Sequence, residues 1–311
     1  MSKPLRVHPI RGARARRERD LLQLVEDHYD NEPLMRLAGE IHFDMPLSRA
    51  DVEAVLRIYG RPAPQTVYLP CAGTLRHVAP LLEQGCHELI AVDLSWGSLS
   101  AGLSRNVPSS AADRLTVCHG DVRDAGEVLP REGAELVFLG GNSLGDLTNP
   151  DGHAELLAAL ARALAPEGVL VFDYVGDRYL PGPGTLSTEW PETLRTADGD
   201  IEVLDRRTRS VSPLSGSPMS VLNFTCEILE VTSGAPVVPM HSYRKLIVPE
   251  RLLTQQFRQA GLKLCNVGPV AEWSTYHRDR IAQTGDLGML GEPNCWYRAV
   301  KDPQRSGSRS Q

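Results

Sequence analysis

The chain has 311 residues, 41% hydrophobic and 23% charged, enough for one large core or one domain with a sizeable appendage. Asp plus Glu number 39 against 33 Lys plus Arg, a net charge of −6, so nucleic acid is not the expected partner. No apolar run of about 18 residues occurs, and no membrane span is expected.

Residues 1–20 are Arg-rich, lack the apolar stretch of a secretory signal, and are expected to be disordered. The same holds for the Ser- and Arg-rich tail at 302–311. Residues 21–62 read as a helical cover. Leu21, Leu22, Leu24 and Val25, then Val52, Val55, Leu56 and Tyr59, recur at helical spacing. Ser48 is a plausible N-cap for the second run, and Gly60 with Pro62 stops it.

Strands then alternate with helices. Apolar strands are predicted at 66–69, 88–92, 115–118, 134–139 and 168–172, and a helix at 154–164 between the last two. This order implies βαβ crossovers and a parallel sheet, an α/β fold. In such a sheet ligands bind at the carboxyl ends of the strands. Beyond 180 the pattern changes. Long antiparallel strands are predicted at 201–209, 221–231 and 243–248, a helix at 249–260, and closing strands at 262–267 and 296–300. The predicted units are thus 63–180, a Rossmann-like core, and 181–301, an antiparallel insertion plus completion of the sheet.

The six cysteines stand singly, without CxxC or Cys/His spacing, so no metal site is expected. Reduced thiols in a cytoplasmic protein are the reading they favour.

Four strand ends carry candidate chemistry. The first runs into Cys71, Ala72, Gly73 and Thr74, a turn that brings backbone N–H groups near a ligand. Neither G-x-G-x-x-G nor the phosphate-loop pattern is met. Asp93 ends the second strand, where a carboxylate accepts hydrogen bonds from ribose hydroxyls or caps the next helix. Asp121 follows the third strand, as an acceptor for an adenine amino group or as a turn aspartate. The fourth strand leads into LGGNSLGDL, which gathers Asn142, Ser143 and Asp146.

The segment LVFLGGNSLGDLTNPDGHAELLAALARALAPEGVLVFDYVGDRYL, with the preceding strand ends, resembles class I S-adenosylmethionine-dependent methyltransferases. Within them it is most similar to small-molecule N-methyltransferases of the glycine and sarcosine type. The resemblance spans about residues 64–180 and, more loosely, 240–300. It implies a Rossmann-like, seven-stranded, mostly parallel sheet with N-terminal helices and an inserted antiparallel β layer. It also implies S-adenosylmethionine as cofactor, a small-molecule substrate and a homo- or hetero-oligomer. The implied cofactor residues are Cys71, Gly73, Thr74, Arg76, Asp93, Leu94, Asp121, Val122 and Gly140. The implied acceptor shell is Asn142, Asp146, Asp173, Tyr174 and Arg178. Trp190, Tyr243, Trp273 and Tyr276 are candidate linings for the cover.

The first loop departs from the family pattern. Leu69 stands where an acid is usual, and the three glycine positions are Cys71, Gly73 and Leu75. Val175 stands in place of the arginine that grips the carboxylate of glycine, so glycine itself is not the expected acceptor. The function read from the chain is methyl transfer to an amine or hydroxyl of a small polar metabolite in biosynthesis. The rival reading keeps the fold and substitutes elimination or ring closure, with Arg76, His77 and Arg178 holding a leaving anion. A non-catalytic partner subunit of the same fold is the third.

Overall fold

The structure is a computed structural model that describes residues 7–10, 19–37, 45–174, 185–196, 199–268 and 295–303. Its centre is an eight-stranded sheet. In spatial order the strands are β1 (Val7–Pro9), β4 (Leu115–His119), β3 (Glu88–Asp93), β2 (Thr66–Pro70), β5 (Ala134–Leu139), β6 (Leu164–Tyr174), β12 (Cys295–Lys301) and β11 (Leu262–Gly268). Pairing is parallel from β1 to β6, and β12 alone runs against both its neighbours. The strands at 66–69 and 88–92 are neighbours as expected, with Val67 opposite Leu89.

The apolar runs of β2, β3 and β5 follow from burial on both faces. Tyr68, Ile90, Val137 and Phe172 enter a cluster on one side with Leu156, Leu160 and Phe257. Val67, Leu89, Leu136 and Val171 enter a second cluster with Val52, Val55, Leu81 and Leu99. The helices supplying these residues are α3 (Met45–Tyr59), α4 (Val78–Glu83), α5 (Trp96–Arg105), α6 (Pro150–Ala163) and α7 (Glu250–Gln259). Helix α6 begins four residues before the predicted start at 154 because Asn149 caps it, accepting from Asp151 N–H at 3.1 Å, with Pro150 in the first turn.

A second, four-stranded antiparallel sheet has the order β10 (Pro236–Ile247), β9 (Ser220–Glu230), β8 (Gly199–Pro213), β7 (Thr185–Thr196). Strand β7 escapes sequence reading because TLSTEWPETLRT lacks apolar alternation and contains Pro191. It lies at the sheet's edge, where a proline is tolerated. Two N-terminal helices, α1 (Arg19–Leu24) and α2 (Glu32–Leu37), flank a π-helical turn at Val25–Tyr29. Leu34 and Met35 pack with Val203, Cys226, Ile228 and Val238 of the second sheet. The sheet is also pinned to the core. Tyr174 Oη donates to the Leu246 carbonyl at 2.8 Å and accepts from Val248 N–H at 2.9 Å.

Two expectations are corrected. Helix α3 already runs from Met45, so Ser48 lies buried inside it and is not its N-cap. Residues 7–9, inside the segment read as disordered, form an edge strand on β4, with Val7 opposite Val117 and Ile10 N–H on the His119 carbonyl at 2.9 Å. Three backbone-paired residues need no apolar periodicity, so the sequence carried no sign of them. No helix among the described residues is long and apolar enough to cross a membrane.

Candidate functional site

A cavity of about 200 Å³ opens at the carboxyl ends of β2 to β5 and runs beneath the N-terminal helices and the second sheet. One half is built by the turn after β2. Cys71, Gly73 and Leu75 all adopt φ between 52° and 56°. The left-handed geometry that glycine favours is therefore kept at all three positions, although two carry side chains. Gly73 N–H donates to Asp93 Oδ2 at 2.7 Å, and Ser95 N–H donates to Asp93 Oδ1 at 2.8 Å. Burial pushes the Asp93 carboxyl up to about 6, against the opposing pull of these two donors, with Asp146 and Asp30 adding to the rise. The alternative role of Asp93 as a helix cap belongs instead to Ser95, whose side chain accepts from Ser98 N–H. Helix α5 seats the turn from behind. A Cβ at Gly102 would overlap the Thr74 backbone, and Asn106 Nδ2 donates to the Thr74 carbonyl at 2.8 Å.

The other half is polar and comes from parts far apart in the chain. Asp146 accepts from Tyr29 Oη at 3.0 Å and from Lys245 Nζ at 2.6 Å. Lys245 also reaches the Asn142 carbonyl at 3.3 Å. Arg207 lies in the wall, paired through both arms of its guanidinium with Asp205 at 2.9 and 2.7 Å. Tyr243 lines the cavity beside His28, their ring centroids 4.3 Å apart. The π turn explains how the N-terminal segment contributes. Its Asp30 N–H to Val25 O bond, 2.7 Å, adds one residue to the helical turn. His28, Tyr29 and Asp30 then each meet a different partner: His241, Asp146 and the start of α5, where Gly97 N–H donates to Asp30 at 2.8 Å.

Of the residues expected in the cofactor site, Cys71, Gly73, Thr74, Arg76, Asp93, Leu94, Asp121, Val122 and Gly140 all line the cavity. Two are committed elsewhere as well. Arg76 pairs with Asp51 at 2.6 Å and donates to Ser48 at 3.2 Å, tying the turn to α3. Asp121 caps its own turn and pairs with Arg123, 2.6 Å at the closest approach, so much of its accepting capacity is already used. His77 likewise meets Asp51 at 3.1 Å; burial first, then the Arg76 charge, lowers it to about 4. Leu69, where an acid is usual, lines the cavity with an apolar side chain.

Of the expected acceptor shell, only Asp146 lines the cavity among the described residues. Asn142 and Asp173 brace one another below it, the carboxylate accepting from Asn142 N–H at 3.2 Å where the chain turns left-handed (φ 56°). Tyr174 is spent on pinning the second sheet. These three are thus absent from the cavity lining, where they were expected. A strand end supplies the right location, yet the side chain that lies there can point into the scaffold. Arg178, Trp273, Tyr276 and the side chain of Trp190 lie outside the described residues, and Tyr243 lines the cavity. Sequence reasoning missed His28, Tyr29, Arg207 and Lys245. Only the unusual polar residues on the inward face of β8 and β10 could have signalled the last two. No cluster of His, Cys, Asp and Glu suited to a metal ion occurs among the described residues.

No protein-family model matches the chain, and no curated protein matches it in sequence. Solved structures do match in shape. The CcbJ methyltransferase from Streptomyces caelestis aligns over 83% of this chain and 89% of its own, with a TM-score of 0.57 and 18% identity. An amino pentose methyltransferase from Micromonospora echinaspora, solved with S-adenosylmethionine bound, aligns over 81% and 89%, with a TM-score of 0.56 and 12% identity. The 1,6-didemethyltoxoflavin-N1-methyltransferase of Burkholderia thailandensis aligns over 97% and 93%, with a TM-score of 0.51 and 15% identity. The fold is the Rossmann-like fold of class I methyltransferases, with its antiparallel penultimate strand β12.

Proposed function

We propose that the chain transfers a methyl group from S-adenosylmethionine to an amine or hydroxyl of a small polar molecule. One observation carries this reading: the turn after β2 keeps its left-handed backbone at Cys71, Gly73 and Leu75 and clasps Asp93 from above. The residues fit the cofactor. Each oxygen of Asp93 accepts one backbone N–H and retains lone pairs for a ribose diol. A Cβ at Gly73 would meet nothing within 4 Å, so open space lies beside the turn. Asp121 and Val122 stand at the next strand end, where an adenine would lie.

The cofactor supplies an already activated methyl group, so the protein's task is to hold two reactants in line, worth about 7–11 kcal/mol of barrier. Asp146, oriented by Tyr29 and Lys245, faces the chamber as an acceptor for an N–H or O–H. The helical cover and the second sheet exclude water from it. The likeness of segment 136–180 to glycine- and sarcosine-type enzymes, and the solved N-methyltransferases of similar shape, favour nitrogen as the methylated atom. The elimination reading loses support because Arg76 and His77, two of its anion-holding groups, are tied to Asp51.

Titration of the purified protein with S-adenosylhomocysteine by calorimetry tests the reading. A micromolar dissociation constant is expected. Absence of binding at millimolar ligand would remove methyl transfer altogether.

A further inference from the structure

The cavity wall holds a histidine pair that the cofactor half does not use. His28 Nδ1 lies 3.0 Å from His241 Nε2, and His241 Nδ1 lies 3.3 Å from the Pro239 carbonyl oxygen. A carbonyl only accepts, so His241 carries its proton on Nδ1 and accepts on Nε2. His28 must then donate from Nδ1, which leaves a lone pair on its Nε2. His28 is buried and lines the chamber with Asp146, Lys245 and Arg207, whereas His241, on β10, is partly exposed. The pair therefore spans the wall from chamber to solvent.

We propose that His28 is the general base of the acceptor chamber and that His241 carries the proton out. Resting on the methyl-transfer reading, the step balances as follows. The acceptor's nitrogen or oxygen forms a bond to the methyl carbon as the methyl–sulfur bond breaks, and the sulfonium leaves as a neutral sulfide. The acceptor's proton goes to His28 Nε2, the proton on His28 Nδ1 goes to His241 Nε2, and His241 releases one proton to water. The surroundings favour this direction. His28 is held neutral well below its ordinary range by burial first, then by His241, Arg207 and Lys245. His241 is also lowered by burial and by Arg207, but Asp27, Asp205 and the Pro239 carbonyl favour its charged form. A proton that enters the pair therefore rests better on the outer ring.

Nitrogen-15 NMR of the histidine-labelled protein tests the pair without an acceptor. Both rings should show the Nδ1–H tautomer, and His241 should titrate before His28 as pH falls. In His241→Ala, His28 should move toward the commoner Nε2–H tautomer. In His241→Gln the amide oxygen can still accept, so the tautomer should persist while the proton path is cut. With S-adenosylmethionine and an acceptor amine that the parent methylates, D-glucosamine being the first probe tried, kcat should fall roughly 100-fold in His28→Gln and at least about tenfold in His241→Gln, with KM little changed. S-adenosylhomocysteine binding should survive in both variants. A His28 proton on Nε2 in the parent, or full kcat in His28→Gln with ligand binding intact, would overturn the base assignment and leave methyl transfer standing. Failure of the parent itself to bind S-adenosylhomocysteine would overturn both.

Discussion

Under the proposed ribose role, the Asp93 carboxyl, lifted to about 6 by burial, makes cofactor affinity a function of pH. Ribose hydroxyls donate, so they bind the ionised carboxylate and not the neutral acid that would compete as a donor. With a carboxyl at about 6, only about one tenth of free protein is ionised near pH 5, so affinity there should be about tenfold weaker than near pH 8, or about 1.4 kcal/mol. The sign is fixed: affinity rises with pH through about 6 and is level above about 7, because binding below that point must expel a proton. Calorimetry with S-adenosylhomocysteine in buffers of different ionisation enthalpy reads both the constant and the protons released. Near pH 6 about half a proton should leave per ligand bound. Asp93→Ala should lose the pH dependence and weaken binding near pH 8 by more than tenfold, since a charge-assisted hydrogen bond contributes about 1.5–3 kcal/mol. Flat affinity across the range, or an Asp93→Ala protein that binds as tightly as the parent, would refute the ribose role.

Four further outcomes follow from the packing. His153 is fully buried with neither ring nitrogen hydrogen-bonded, and burial lowers it to about 4 from 6.5. Its stabilising contribution is complete above about 6.5 and declines as pH falls toward about 4, reaching a loss of about 2 kcal/mol near pH 5; His153→Leu should flatten urea-melt stability over that window relative to the parent. Lys245→Met leaves the partly buried Asp146 carboxylate without its cation and should cost about 2–3 kcal/mol, below the roughly 3–5 kcal/mol of a fully buried pair, while adding Asp146→Asn should recover part of it; purely additive losses in a double-mutant cycle would deny the coupling. Cys71→Gly should change stability by less than about 1 kcal/mol, because relief of left-handed strain is offset by glycine's extra unfolded-state entropy. Leu75→Gly should cost more than about 2 kcal/mol in chemical denaturation, because it also empties a buried leucine site.

The sheet was legible because β2, β3, β5 and the second half of β6 are buried on both faces and so read as plain apolar runs between turn signals. The cofactor half was legible because strand ends mark where ligands sit, whatever the side chains. The turn itself hid its nature. Cys71 and Leu75 adopt a glycine-like backbone that their residue types disfavour, so the pattern looked broken where the conformation persists. The acceptor half was scarcely legible. Lys245 and Arg207 occupy inward positions on strands where an apolar residue is the rule, and each is tolerated only through a carboxylate. For Lys245 that carboxylate lies 99 positions away. The π turn that presents His28 and Tyr29 has no local signature, and their partners lie 213 and 117 positions off. Conversely, Asn142 and Asp173 have the residue types of an acceptor shell, but their contacts show a brace.

Those separations also order events in time. The turn after β2 is held by Asp93, Asn106, Asp51 and Ser48, all within 32 positions of their partners, and can form with the parallel sheet. The chamber needs Tyr29, Asp146 and Lys245 together, and closing loops of that length is entropically slow. The turn after β2 and the polar chamber thus belong to different cooperative units of one chain. The outer unit should open on its own, with backbone amides of the π turn and β10 exchanging with deuterium before those of β2 and β3 do. In such a molecule the cleft at the strand ends outlasts the chamber built over it, and under the proposed function a partly opened protein would hold its cofactor with nothing to methylate.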